Sequence, residues 1–340
     1  MVAYSKKIRY SINLYKNLGE LKGMSSDKRP YVLVYGVSVY DIFGFAYQNY
    51  RTNDSNPGKV RVSFGGVCRN IAENLARMDV NTKFISIIGD DEKGKSILEH
   101  AKKMNLDMDD SLIVKGESTP TYMAILDEHG EMRSAIVDMK ITDLVTEEFV
   151  DSKADLIENA EYMVLDIDNP AIVEYILTKY EGKTRFILDP VSAAKVAKVK
   201  HLIGKFHTIK PNRNEAEVLC GFSIKTKEDI RKAGAFFRSL GVENVFISLD
   251  SEGMYYFNGA EEGIVQNAKV SVVNVTGAGD SCVAGICYGY MQNLSIEKTV
   301  EYAITMSAIT ISHEETIHPD MGHVIVDEYF EKNHWNVERF

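Results

Sequence analysis

From Tyr31 onward the chain alternates short apolar runs with amphipathic stretches. The runs at 31–36, 83–88, 161–165, 185–188, 208–209 and 244–248 place apolar side chains at successive positions, the signature of strands covered on both faces. Between them, 70–78, 146–151, 170–180, 214–220 and 227–240 carry helical spacing. This order predicts an α/β fold with a largely parallel sheet between helices.

Two segments break the rhythm. Residues 45–64 and 121–137 alternate polar and apolar positions around Asp54-Ser55-Asn56-Pro57-Gly58 and Asp127-Glu128-His129-Gly130. They predict hairpins with one wet face, and hence a β lid over a cleft, formed by about 45–64 and 117–138. Residues 1–30 are basic and polar and are expected to be an N-terminal extension; 31–325 form one α/β domain and 326–340 a C-terminal tail.

Composition narrows the function. A chain of 340 residues, 45% hydrophobic, has material for a large core. A net charge of −10 argues against a polyanion-binding surface, so no nucleic-acid partner is expected. Neither a membrane span nor a secretory leader is legible. Cys68, Cys220, Cys282 and Cys287 form no metal-like pairs and read as reduced thiols, which fits a cytoplasmic location.

The candidate chemistry centres on Val275-Thr276-Gly277-Ala278-Gly279-Asp280. A strand is expected at 268–273 and a small-residue helix from about Gly279 onward. Strand, glycine turn and buried helix together make an anion hole: the N–H groups of Gly277, Ala278 and Gly279 are unshielded, and the positive end of the helix dipole faces the turn. Asp280 stands beside the hole as a base for an attacking hydroxyl. An ordinary turn with a capping Asp is the competing reading. Asn212 and Glu215 lie one turn apart at a helix start, where they suit either a hydrated Mg²⁺ carrying a nucleotide or a capping box. Gly65-Gly66 enters a second helix, with Asn70 available to sugar hydroxyls. Gly89-Asp90-Asp91-Glu92-Lys93-Gly94-Lys95-Ser96 satisfies the P-loop pattern, yet three carboxylates would crowd a triphosphate; a solvated strand-to-helix turn is the better reading.

Thr276-Gly277-Ala278-Gly279-Asp280, Gly65-Gly66 with Asn70, and Asn212-x-x-Glu215, in this order, resemble the ribokinase (PfkB) family of carbohydrate and nucleoside kinases from about Tyr31 to Pro319. Asp54-Ser55-Asn56-Pro57-Gly58-Lys59, Leu188-Asp189-Pro190-Val191-Ser192 and His313-Glu314-Glu315-Thr316 have the look of its pseudouridine-kinase subgroup. The resemblance implies a ribokinase-like, three-layer α/β/α sandwich with a small β-sheet lid. It implies transfer of phosphate from ATP, with Mg²⁺, to a primary hydroxyl of a nucleoside or sugar. Asp280 would be the base; Gly277, Ala278 and Gly279 would hold the phosphoryl group. Asp41, Gly65, Gly66 and Asn70 would hold the ribose, and Asp168 is a candidate for the base moiety, as are Thr121, Tyr122, Asp138 and Lys140. Asn212, Ser248, Gly253, Thr276, Gly277 and Gly279 would line the nucleotide, and Asn212 and Glu215 the metal. Three positions depart from the family: Val39 where Asn is usual, Asp250 where Gly is usual, and Asn274 in place of an Asp beside a monovalent-cation (K⁺) site. A homodimer through the lid is the expected assembly.

Overall fold

The computed structural model describes residues 29–266 and 270–340. The expected N-terminal extension therefore lies, apart from residues 29 and 30, outside the described residues.

The central sheet has nine strands. In chain order they are β1 (Val32–Tyr35), β4 (Thr82–Ile85), β9 (Tyr162–Leu165), β10 (Arg185–Leu188), β11 (Thr208–Ile209), β12 (Asn244–Ser248), β13 (Met254–Phe257), β14 (Glu262–Gln266) and β15 (Asn336–Arg339). Their spatial order is β15-β14-β13-β12-β11-β10-β9-β1-β4, parallel from β12 to β4 and antiparallel through β13, β14 and β15. The principal helices are α1 (Val67–Arg77), α2 (Glu92–Lys103), α3 (Pro170–Lys179), α4 (Arg213–Cys220), α5 (Lys227–Leu240), α6 (Ala278–Met291), α7 (Ile296–Ile311) and α8 (His323–Lys332).

The apolar runs are continuous because each strand feeds two cores. Leu33, Leu165 and Leu188 pack with Val173 and Ile176 of α3 and Phe237 of α5. Their neighbours Val34, Val164 and Ile187 pack on the opposite face with Ile71 of α1, Val283 and Cys287 of α6 and Met306 of α7. Successive side chains of a strand point to opposite faces, so both parities must be apolar. Among the described residues no helix is long and apolar enough to cross a membrane.

The lid is a four-stranded sheet in the order β3-β2-β7-β8, formed by β2 (Val39–Ala46), β3 (Gly58–Gly65), β7 (Thr121–Leu126) and β8 (Met132–Asp138). It starts at Val39, earlier than the expected residue 45, because β2 is nearly uniformly apolar and lacks the alternation that marks its partners.

Three expectations are corrected. The run at 83–88 divides into β4 and β5 (Ile87–Gly89), which pairs with β6 (Leu112–Val114). Between them Ser86 leaves the central sheet: its N–H donates to Ser111 Oγ and its Oγ accepts from the Ser38 N–H. Residues 270–273 are irregular rather than strand, with Val272 and Val273 more than half exposed, and 268–269 lie outside the described residues. The expected tail at 326–340 carries most of α8 and the edge strand β15, whose Arg339 is anchored on Glu297 and whose Glu338 pairs with Lys227.

Candidate active site

The parallel strands end along one edge of the sheet, where open α/β folds bind ligands. Asp166 and Asp168 follow β9, Asp189 follows β10, Lys210 follows β11 and Ser248 ends β12. The lid enters from β1 through Val37 and Ser38, and Asp166 pins that entry by accepting the Val37 N–H at 3.1 Å and the Asp168 N–H at 3.2 Å. Burial and the neighbouring Asp168 push the Asp166 carboxyl up to about 7.

Both glycine turns are helix N-termini. Gly277 is the N-cap of α6 with φ 81°, a left-handed conformation, and a Cβ there would run into the Thr316 carbonyl. The N–H groups of Gly277 and Gly279 make no hydrogen bond among the described residues. Ala278 differs, since its N–H closes the turn onto the Val275 carbonyl at 3.3 Å. Gly66 caps α1 with a different positive-φ backbone, φ 101° and ψ 126°, and a Cβ there would meet the Val37 carbonyl. Beside it the Asp41 carboxylate fills the space where a side chain on residue 65 would stand, so Gly65 is what admits it.

The two turns meet at one hydrogen bond, from Asn70 Nδ2 to Asp280 Oδ2 at 2.7 Å. Burial, with help from Asp189, raises the Asp280 carboxyl to about 7; the Asn70 bond, Lys210 and Arg69 oppose the rise. Burial likewise lifts Asp41 to about 6 against the pull of Arg69. Asp280 is therefore a carboxylate whose proton affinity lies near neutrality, as a general base requires.

Asn212 and Glu215 form the capping box: Asn212 Oδ1 accepts from the Glu215 N–H and Glu215 Oε2 from the Asn212 N–H, both at 2.9 Å. Burial pushes the Glu215 carboxyl up, and Asn212, through its backbone and side chain, holds it back. Among the described residues no three His, Cys, Asp or Glu side chains converge on a common point, so a protein cage for a metal does not fit, whereas a metal carried on phosphates and reached through water does. Ser248 lies against this helix start, its N–H donating to the Pro211 carbonyl at 3.0 Å, and Gly253 follows at the beginning of β13. Asp250 is exposed.

Asp168 is ion-paired with Lys195 on the short helix Ala193–Val196. The other candidates for base recognition are less central. Thr121 Oγ1 is held by Lys93 at 2.7 Å at the root of β7, the Tyr122 hydroxyl reaches Met132 Sδ at 3.4 Å, and Asp138 caps the Lys140 N–H at 3.4 Å. Residues unassigned from the sequence are Arg69, Asp189, Lys195 and Lys210. Arg69 precedes Asn70 directly, and its i, i+4 spacing from Glu73 and Arg77 on one helix face reads as an ordinary ion-pair row.

The P-loop pattern is a helix start. Asp91 caps α2 by accepting the Gly94 N–H at 2.9 Å and also holds the Thr119 N–H and hydroxyl, while Lys95 turns outward to Glu92. With its carboxylate in the turn and its lysine on the surface, this loop is no phosphate cradle.

An α/β sandwich with a β lid, an open helix N-terminus and a carboxylate of raised proton affinity beside it define a phosphotransferase with an alcohol acceptor. Residues 29–321 match the pfkB family carbohydrate kinases, and the chain belongs to that family. Its members use ATP with a divalent metal. Pseudouridine kinase of Escherichia coli K12 is 35% identical over 297 residues, covering 87% of this chain and 95% of its own. Guanosine-inosine kinase of Exiguobacterium acetylicum is 25% identical over 295 residues. A solved structure of a candidate sugar kinase from Clostridium perfringens is 58% identical, covers 92% of this chain and 99% of its own, and superposes with a TM-score of 0.89. The fold class read from the sequence is thereby borne out.

Proposed function

We propose that this kinase phosphorylates the 5′-hydroxyl of pseudouridine with ATP. The observation that carries the mechanism is the hydrogen bond of Asp280 to Asn70 at the mouth of an open helix N-terminus. In this reading Asp280 takes the proton of the substrate hydroxyl, and the N–H groups of Gly277 and Gly279 hold the phosphoryl group as its charge develops, with the Ala278 N–H spent on closing the turn. Asp41, Gly65, Gly66 and Asn70 bind the ribose, and Asp168 with Lys195 faces the base. Ser248, Gly253 and Thr276 line the nucleotide. Asn212 and Glu215 orient its Mg²⁺ through water; the bound ion offsets phosphate charge.

The nucleoside is supported by the E. coli relative, the substrate subgroup by the Asp54–Lys59 and Asp189–Ser192 motifs. Another nucleoside or sugar is the second reading, favoured by the guanosine-inosine kinase likeness. A K⁺ site gains little support: Asn274 spends its amide on the Thr276 N–H and the Glu314 carbonyl, closing the loop without a charge. The four free cysteines support a cytoplasmic location. For a homodimer the support is the outer lid face, where Val60, Val62, Met123, Ile125 and Ile136 are 40–68% exposed.

The test is ADP release from Mg·ATP with pseudouridine, uridine, adenosine, guanosine, ribose and fructose at millimolar concentration. Turnover confined to pseudouridine supports the reading; preference for another acceptor discards the nucleoside and keeps Asp280. Replacing Asp280 by Asn should lower kcat by about 10³-fold with the fold intact, and retained turnover overturns its role.

A further inference from the structure

Among the described residues Lys210 is a buried cation without a hydrogen-bonded partner. Its side chain is 6% exposed, its nearest carboxylate oxygen, Asp189 Oδ2, lies at 3.6 Å, and its ammonium donates no hydrogen bond among the described residues. A buried ammonium with three N–H donors is costly to leave in this state. The backbone holds it there: the Lys210 N–H donates to the Leu188 carbonyl at 3.2 Å as β11 leaves the sheet. The ammonium is aimed at α6. A Cβ added to Gly279 would come within 3.3 Å of Lys210 Nζ and, beyond its own helix turn, meet no other described atom within 4 Å. The absence of a side chain at residue 279 thus opens a path from the buried cation to the free N–H groups of the helix N-terminus.

We propose that Lys210 is a catalytic residue, the fixed cation that hydrogen-bonds the transferring phosphoryl group at the start of α6. The proposal rests on the reading of Asp280 as base. The acceptor oxygen attacks the γ-phosphorus, its proton passes to Asp280, and the bond from that phosphorus to the bridging oxygen breaks, with its electron pair leaving on ADP. Lys210 gives up no proton. It donates N–H bonds to the oxygens of the moving group, whose charge is spread most widely in the transition state. Burial would favour a neutral amine, but Asp189, Glu215 and Asp280 outweigh it and keep the group charged. Neutralising those carboxylates is the competing role, and it would require nothing of Gly279.

The experiment compares Lys210→Met, Asp189→Asn, the double variant and Asp280→Asn, using the acceptor turned over fastest by the wild type. Lys210→Met should lower kcat by about 10²–10³-fold with the acceptor KM changed less than about threefold. By calorimetry it should weaken Mg·AMP-PNP by at least tenfold more than Mg·ADP, because only the former carries a γ-phosphoryl group. Removing the opposite charge in Lys210→Met/Asp189→Asn should restore the fold if the single variant is unstable, and should leave kcat low. Recovery of kcat in the double variant, or equal losses for the two nucleotides, overturns the proposal. Retained turnover in Asp280→Asn instead sinks the reading beneath it, and the two failures are distinct.

Discussion

Asn70 and Asp280 are 210 positions apart in the chain and 2.7 Å apart in the fold. Their hydrogen bond ties α1, which begins at the first glycine turn, to α6, which begins at the second. The Asn70 amide is oriented from behind: Arg69 Nη1 donates to its Oδ1 at 3.1 Å, leaving Nδ2 to face Asp280. Arg69 is in turn held by the buried Glu73, which also takes His100 Nε2 at 3.0 Å and Arg77 at 2.9 Å.

This bond stabilises the ionised form of Asp280 and so lowers its proton affinity. Asn70→Ala should therefore move the acid limb of the kcat/KM profile to higher pH by about half a unit or more, besides weakening the acceptor. A profile that keeps its midpoint while KM alone rises would limit Asn70 to sugar binding.

A carboxyl raised from 3.8 to about 7 also makes a statement about stability. The folded state binds the proton more tightly than the unfolded one, so the contribution of Asp280 is fully present below about pH 4 and is lost as pH rises through about 7. Asp280→Asn should accordingly raise Tm relative to the wild type at pH 8 and leave it nearly unchanged at pH 4. Asp166, also raised to about 7, keeps some of the alkaline loss in the variant. Equal Tm differences at both pH values would show that Asp280 does not ionise across this range.

Gly277 carries a φ of 81° and has the Thr316 carbonyl where a Cβ would go. Gly277→Ala should cost roughly 1–2 kcal/mol from the left-handed backbone alone and more from the displaced loop. Its kcat should fall at least tenfold as the helix N-terminus shifts. Chemical denaturation and steady-state kinetics check both; a variant as active as the wild type would mean that this turn does not hold the phosphoryl group.

The elements legible in the sequence are those whose side chains obey one rule throughout. The strands 185–188, 208–209 and 244–248 and the helix 227–240 are legible with their observed bounds, because a doubly covered strand carries an unbroken apolar interior, as in Phe186–Leu188 and Val245–Ile247, and Lys227–Leu240 is amphipathic between a Thr226 cap and Gly241. The lid hairpin turns were legible through their glycines, but β2 was not: Val-Tyr-Asp-Ile-Phe-Gly-Phe-Ala carries apolar groups on both faces. The edge strand β15 is four residues with two charges and exists only because β14 offers an unpaired edge. In the site, glycines and carboxylates could be found from their spacing. Lys210 could not, since nothing in Lys210-Pro211-Asn212 says that its ammonium ends beneath Gly279. The juxtaposition is made by β11 and α6, which the chain separates by nearly seventy residues.

The lid supplies the last prediction. Along one face of its sheet, Val62 lies opposite Ile42, Ile42 opposite Met123 and Met123 opposite Ile136, and one step along Val60 and Ile125 flank Gly44. The opposite face carries Asp41, Phe43, Phe45 and Arg61, with the guanidinium over both phenyl rings. Asp41 belongs to the candidate site, so the Val62–Ile136 face is the outer one. Five large apolar side chains 40–68% exposed on one sheet face call for a partner, and a second copy of the same lid offers a matching surface. The wild type should therefore run as a dimer in light scattering, and Val62→Asp with Ile136→Lys should yield monomers. Because β2 carries Asp41 on its other face, the monomer should show a higher acceptor KM, at least threefold, while its affinity for Mg·ADP stays the same. A monomeric wild type, or charged variants that still dimerise, would move the interface elsewhere on the molecule.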